Sequence, residues 1–177
     1  MSQDEKPQIL AEGKFLRMLK VGRWEFVQRI RSSGAVHVVA VTDAREIVLV
    51  EQPRVPVRGR TLELPAGIMG DSAEFANESP QESAMRELLE ETGFKGTSAD
   101  LLCSGPNAPG LTSERSNLVR VKGVKRVHAG GGVDGEDITV HLAPLDGIRQ
   151  WLDRKQGEGL LIEPRIFTAL YFILTDG

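Results

Sequence analysis

The stretch that most constrains this chain is one helix punctuated at both ends, running from about Pro80 to Thr92. Ser79 is placed to act as N-cap, and Glu82, three residues on, completes a capping box. Pro80 suits the first helical turn, where a missing N–H costs nothing. Gly93 can end the helix in a left-handed conformation. At 3.6 residues per turn, Ala84, Met85, Leu88 and Leu89 fall on one side, and Glu87, Glu90 and Glu91 on the other. Like charges at i, i+3 and i+4 repel by roughly 0.2–0.5 kcal/mol each in an isolated helix. These acids also occupy the last turns, where the helix dipole prefers cations. Two local preferences are violated together, as happens at functional sites. A hard divalent cation such as magnesium would relieve both, because it shares carboxylate ligands with phosphates and water. The plainer reading, a solvated acidic face with Arg86 paired to Glu82 or Glu90, stays open on these residues alone.

Around that helix the chain reads mostly as short strands. Lys14 to Leu19 and Arg23 to Arg31 are expected to form a hairpin turning at Val21-Gly22, with Ser32-Ser33-Gly34 as punctuation. Ala35 to Thr42 and Glu46 to Glu51 are β-branched and apolar, and the turn Asp43-Ala44-Arg45 suggests a second hairpin. Thr61 to Leu64 is a brief strand ending at Pro65. Further strands are expected near Leu101, at Asn117 to Val121 and at Ile138 to Leu142, with helices at Leu145 to Arg154 and Pro164 to Leu174. Strands with scattered helices and no regular βαβ alternation point to an α/β architecture with a mixed sheet. One biased stretch stands out, the glycine-rich loop Gly130 to Gly135.

At 177 residues, the chain fits one ordinary domain, with room for a small extension. Hydrophobic residues at 40% and charged residues at 27% match a globular protein. The net charge of −3 argues against a nucleic-acid partner. The nearest basic patch, Arg120, Lys122, Lys125 and Arg126, reads as a solvated strand edge. The polar start Met1 to Lys6 and the lack of a long apolar run lead us to expect no signal segment and no membrane span. Cys103, the single cysteine, is expected at a buried strand position, and a reducing, cytoplasmic setting follows as the default. His37, His128 and His141 have no metal-ligand spacing, and His37 reads as a packed or paired strand residue.

Glu78, seven intervening residues, and then Arg86-Glu87-Leu88-Leu89-Glu90-Glu91-Thr92-Gly93-Phe94 resemble the Nudix box at every defined position after its first glycine. The position of that glycine, six residues before Glu78, is Ser72 here. Its counterpart is Gly67 in Leu64-Pro65-Ala66-Gly67, which implies a longer loop through Gly70-Asp71. Trp24-Glu25-Phe26-Val27, Glu51-Gln52-Pro53-Arg54, Pro109 sixteen residues after Gly93, and the loop Asp134-Gly135-Glu136-Asp137 are similar to the ADP-ribose pyrophosphatase branch of the Nudix hydrolases. The likeness runs over nearly the whole chain.

This resemblance implies a Nudix α/β/α sandwich with a mixed sheet over residues 35–177, preceded by an N-terminal β-hairpin extension over 1–34. It implies Mg2+, with Mn2+ able to substitute, held by Glu87, Glu91 and the backbone carbonyl of Ala66, with Glu136 completing the metal site or activating water. Glu90 and Arg86 join Glu136 in the catalytic set. Arg54 would hold a diphosphate, as a guanidinium suits paired phosphate oxygens, with a surface salt bridge as the alternative that stays open on its residues alone, and Arg29, Ile68, Pro109 and Glu114 would line the substrate site. In this branch the N-terminal hairpin crosses to a partner subunit and an aromatic there stacks on the base. That implies a homodimer, with Trp24 in the stacking role; a Trp24 that only packs the hairpin is the alternative. Glycines before Glu136 would let its loop close over substrate and open again. Ala108 stands where an acid often precedes the loop proline, so contacts to the second ribose differ.

The implied reaction is magnesium-dependent hydrolysis of ADP-ribose to AMP and ribose 5-phosphate. Alternatives are a preference for another nucleoside diphosphate sugar, such as GDP-mannose or ADP-glucose, a nucleoside triphosphate hydrolase, and a non-catalytic ADP-ribose-binding module.

Overall fold

The computed structural model describes residues 6–32, 34–70, 72–133 and 135–175. Met1 to Glu5, Ser33, Asp71 and Asp134, which entered the expectations above, lie outside them. The first element is a three-stranded antiparallel sheet of β1 (Gln8–Glu12), β2 (Leu16–Val21) and β3 (Trp24–Arg29), in that order. The expected hairpin is its second half, with Val21 paired to Trp24 and Gly22 at φ 56° in the turn. β1 went unforeseen because its residues are all exposed and carry no inward-facing alternation.

The chain then enters β4 (Gly34–Ala40), crosses to β5 (Glu46–Arg54), and continues through β6 (Gly59–Glu63), β7 (Ala66–Met69) and α1 (Pro80–Thr92). After α1 come β8 (Phe94–Lys95), β9 (Ser98–Pro106), β10 (Arg115–Lys122), β11 (Lys125–Arg126) and β12 (Thr139–Pro144). α2 (Ile148–Gly157), β13 (Leu161–Ile162) and α3 (Arg165–Thr175) complete it. Two four-stranded sheets form the body, ordered β7-β4-β10-β9 and β12-β5-β6-β13. β4 runs parallel to β10 and β5 antiparallel to β12, so strand directions are mixed.

The second expected hairpin does not form. β4 and β5 belong to different sheets and meet at a single bridge, Val41 to Ile47. All seven residues of β4 are buried, so it needs partners on both edges and cover on both faces. The Asp43-Ala44-Arg45 turn, with Arg45 at φ 59°, carries the chain from one sheet to the next.

Alternation within these strands divides the core in two. Val36, Val38, Ala40 and Val48 pack with Ala84 and Leu88 of α1. Val39, Ile47 and Leu49 pack with Leu152 of α2 and Ile166, Ala169 and Leu170 of α3. Helices therefore cover opposite faces of the strands, an α/β/α sandwich. No helix among the described residues is long and apolar enough to cross a membrane. Cys103, expected to be buried, is exposed. β9 is an edge strand, its register against β10 shifts between Leu118 and Val119, and Leu102 rather than Cys103 packs against the core. Of the basic residues, Lys122, Lys125 and Arg126 are exposed on β10 and β11, in line with a solvated strand edge, whereas Arg120 is half-buried and donates to the Phe172 carbonyl.

Candidate active site

α1 forms as its sequence dictates. Ser79 Oγ accepts from the Glu82 backbone N–H, Glu82 Oε2 accepts from that of Ser79 at 2.8 Å, and Gly93 ends the helix at φ 72°. The acidic side faces β7. Glu91 is buried, and its Oε2 accepts from the Ala66 N–H at 3.0 Å. Glu87 lies directly on Gly67, where any Cβ would run into its carboxylate. The glycine before the helix thus stands at Gly67, and the longer loop does not displace the acids. Glu78 keeps its place too: Arg86 Nε and Nη2 donate to its two oxygens at 3.0 and 3.2 Å. Arg86 Nη1 reaches Glu90 and Glu87, each at 2.9 Å. One guanidinium thus spaces three carboxylates. Phe75, half-buried among exposed loop neighbours, covers its face at 4.2 Å.

The glycine-rich loop closes the C-terminal end of α1. Gly131 N–H donates to the Glu91 carbonyl at 2.8 Å and Gly132 N–H to that of Glu90 at 3.2 Å, filling acceptors that a helix end leaves open. Both glycines have positive φ, and a Cβ at Gly130 would collide with the Thr92 backbone. Close approach to the helix, as well as the expected freedom to open and close, calls for glycine here. The loop brings Glu136 to the cleft, with its Oε2 accepting from the Val133 N–H at 3.1 Å.

These groups line a cleft of about 950 Å³ that also holds Arg54 and Arg29. Arg54 Nε and Nη2 donate to the two oxygens of Glu63 at 2.7 Å each, which raises its affinity for the proton further. Arg29 Nε donates to Glu114 at 2.8 Å. At the same cleft His37 is buried, with Nε2 2.9 Å from Arg165 Nη1 and 3.2 Å from Ser116 Oγ. Burial and the adjacent guanidinium hold its pKa near 3, so the imidazole stays neutral. Glu91 moves the other way. Burial, joined by the charges of Glu87 and Glu136 and only partly opposed by the Ala66 N–H, pushes its carboxyl to about 8.

A carboxylate so reluctant to ionise is a place where a hard cation fits, and Glu87, Glu91 and the Ala66 carbonyl are oxygen donors of the right kind. Among the described residues, no three Asp, Glu, His or Cys side chains form a ready-made ion site.

Of the residues singled out in the sequence, Arg29, Arg54, Ala66, Ile68, Arg86, Glu87, Glu90, Glu91, Glu114 and Glu136 share the cleft. Trp24 and Pro109 do not line it. Trp24 stands on β3, 46% exposed, and Pro109 on an exposed loop. Sequence reading missed Gln52, Glu63, Phe75, Asn107 and Arg165 as cleft residues. Alternation along β5 could have yielded Gln52, two residues before Arg54 on the same face; Arg165 gave no signal, since its position depends on where α3 begins.

A family model of the NUDIX domain matches residues 32–156. The methanol dehydrogenase activator of Bacillus methanolicus is 36% identical over 72% of this chain and 66% of its own length. ADP-sugar pyrophosphatase of Mus musculus is 33% identical over 64% of this chain and 58% of that one. ADP-ribose pyrophosphatase of Bacillus subtilis (strain 168) is 35% identical over 48% and 43%. The matched stretches thus span two thirds or less of these relatives. A crystal structure of an ADP compounds hydrolase matches with a TM-score of 0.69, covering 96% of this chain and 92% of that one at 22% identity, a likeness of fold. With box, cleft and fold in agreement, this chain belongs to the NUDIX domain family.

Proposed function

We propose that this protein hydrolyses the diphosphate of ADP-ribose, with Mg2+ as cofactor and Mn2+ able to replace it, giving AMP and ribose 5-phosphate. One observation carries the reading: a single cleft contains the closely spaced acids Glu87 and Glu91 together with Arg29 and Arg54. Relatives named ADP-ribose and ADP-sugar pyrophosphatases support the substrate class. A GDP-mannose pyrophosphatase, 27% identical over 75% of this chain, supports a second reading in which another nucleoside diphosphate sugar is preferred.

A divalent ion held by Glu87, Glu91 and the Ala66 carbonyl would neutralise diphosphate oxygens and make a water molecule more acidic. Arg54 meets the diphosphate with Nη1, which lies outside its bidentate pair with Glu63. Arg29, Ile68 and Glu114 flank the substrate, and Pro109, outside the cleft lining, would reach it only from the loop before Glu114. Arg86 keeps Glu87 and Glu90 in position. Glu136 takes the proton as water attacks one phosphorus in line, and the bridging bond breaks with its electron pair leaving on the departing phosphate oxygen. Glu90 is the other candidate base, but it already accepts from Arg86.

The N-terminal extension over 1–34 would serve a homodimer, placing Trp24 over a partner's base. Exposed Ile9, Leu10, Leu16 and Trp24 on its sheet, with exposed Phe15 in the turn before β2, favour that role. A cytoplasmic location fits a chain with one cysteine and a nucleotide substrate. The deciding experiment is a panel of nucleoside diphosphate sugars with Mg2+, ranked by kcat/KM for nucleoside monophosphate release. ADP-ribose should rank first. A much higher value for GDP-mannose or ADP-glucose would establish the second reading, and no turnover of any would end both.

A further inference from the structure

Arg29 is held in the cleft by residues from distant parts of the chain. Its Nε donates to Glu114 Oε1 at 2.8 Å, and the other oxygen of that carboxylate, Oε2, accepts from Asn107 Nδ2 at 3.2 Å. Asn107 Oδ1 in turn accepts from Arg165 Nη1 at 2.8 Å, while Arg165 Nε donates to Glu163 at 2.9 Å. Side chains from β3, the loop after β9 and the start of α3 thus form one chain of bonds along the cleft. Its order of donors and acceptors is fixed by residue type. Arginine can only donate and an ionised carboxylate can only accept, whereas an asparagine amide offers one group of each kind. Arg165 therefore keeps Oδ1 to itself and turns Nδ2 toward Glu114. The Asn107 backbone N–H donates to the Glu114 carbonyl at 3.1 Å, which holds the two residues opposite each other across their loop.

We propose that Asn107 is a positioning residue for substrate binding, with Arg165 setting the direction of its amide. Asn107 acts through Glu114 on Arg29, fixing the guanidinium where it meets a nucleoside diphosphate. Arg29 gives only Nε to Glu114, so Nη1 and Nη2 lie outside that pair. The chain of bonds ends at Arg29 and passes through none of the carboxylates assigned to the metal, so it bears on affinity more than on the cleavage step. The inference rests on the reading that the cleft takes such a diphosphate.

The test is a double-mutant cycle on KM and kcat for ADP-ribose, with Tm and calorimetric binding of ADP with Mg2+ measured alongside. Asn107→Asp sets a second carboxylate against Glu114, and Asn107→Ala removes the donor. Each should raise KM about tenfold, the size of one lost hydrogen bond to a charged group, with kcat changed by less than about threefold. In an Arg29→Ala background the same substitutions should change KM by less than about twofold, because the group they act through is gone. Arg165→Met should raise KM in the same way, and Arg165→Lys, still a pure donor, should keep it within about threefold of wild type. KM unchanged in both Asn107 variants, the same rise repeated without Arg29, or kcat and Tm falling together overturns the role of Asn107. A lysine variant no better than the methionine one overturns that of Arg165. Should wild type turn over no nucleoside diphosphate sugar, the hydrolase reading fails by itself. ADP binding carried through the same cycle then decides: a loss that vanishes without Arg29 upholds Asn107, and equal affinity, an additive loss, or no binding to wild type overturns it.

Discussion

Glu91 shows how one buried carboxyl shapes both stability and chemistry. Its folded pKa, about 8, lies above the ordinary 4.5, so the folded chain holds this proton more tightly than the unfolded chain does. Its contribution is fully present below pH 4.5 and is lost as pH rises through about 8. Metal-free protein should therefore lose Tm over that window, and Glu91→Gln should flatten the slope in a thermal-melt series. His37 acts with the opposite sign: its pKa near 3 lies below 6.5, so stability is lost as pH falls below 6.5. On activity, Glu87→Gln or Glu91→Gln should abolish turnover in a protein that still melts cooperatively, with the Tm of metal-free Glu91→Gln at or above that of wild type near neutral pH, as read by a product assay beside a melt. A folded variant with near-full activity would remove the substituted residue from the metal site. Phe75→Ala should uncover Arg86 and lower kcat about tenfold at nearly constant KM, with Phe75→Tyr restoring it, since the cation–π contact contributes about 0.5–2 kcal/mol.

At the scale of elements, the fit between α1 and the glycine-rich loop is the point of greatest sensitivity. Gly130→Ala sets a Cβ against the Thr92 backbone at φ 75° and should cost about 1–3 kcal/mol, lowering Tm and kcat together. Unchanged melting would show that the loop does not rest on the helix. α1 was legible in the sequence from cap to cap, because Ser79, Pro80, Glu82 and Gly93 each state their role locally. α2 was less so: it was expected from Leu145 but begins at Ile148, after the left-handed Gly147. The β4–β5 hairpin was misread because two apolar strands joined by a short turn look alike whether they pair or part. The partners on both edges decide that, β7 and β10 for β4 and β6 and β12 for β5, and local pattern does not contain them.

For the whole molecule, backbone and side-chain bonds among the described residues tie the N-terminal sheet to the body. Val27 exchanges backbone hydrogen bonds with Leu111 and Ser113, and Arg29 pairs with Glu114. If this sheet builds a dimer, sedimentation should show twice the monomer mass, and Trp24→Ala should raise KM for ADP-ribose severalfold with kcat kept. A monomeric wild type would leave Trp24 outside any site. The box acids could be recognised in sequence, but their shared cleft with His37, Asn107 and Arg165 could not, since it assembles the middle of β4, the residue after β9 and the start of α3, which only the folded topology brings together.

The bonds from Gly131 and Gly132 to the last carbonyls of α1 have a dynamic corollary. Opening that turn must free the Glu136 loop at the same moment, so the two should behave as one cooperative unit. Amide hydrogen exchange at Gly131 and Gly132 would then share a single rate and a single denaturant dependence with the amide of Gly93.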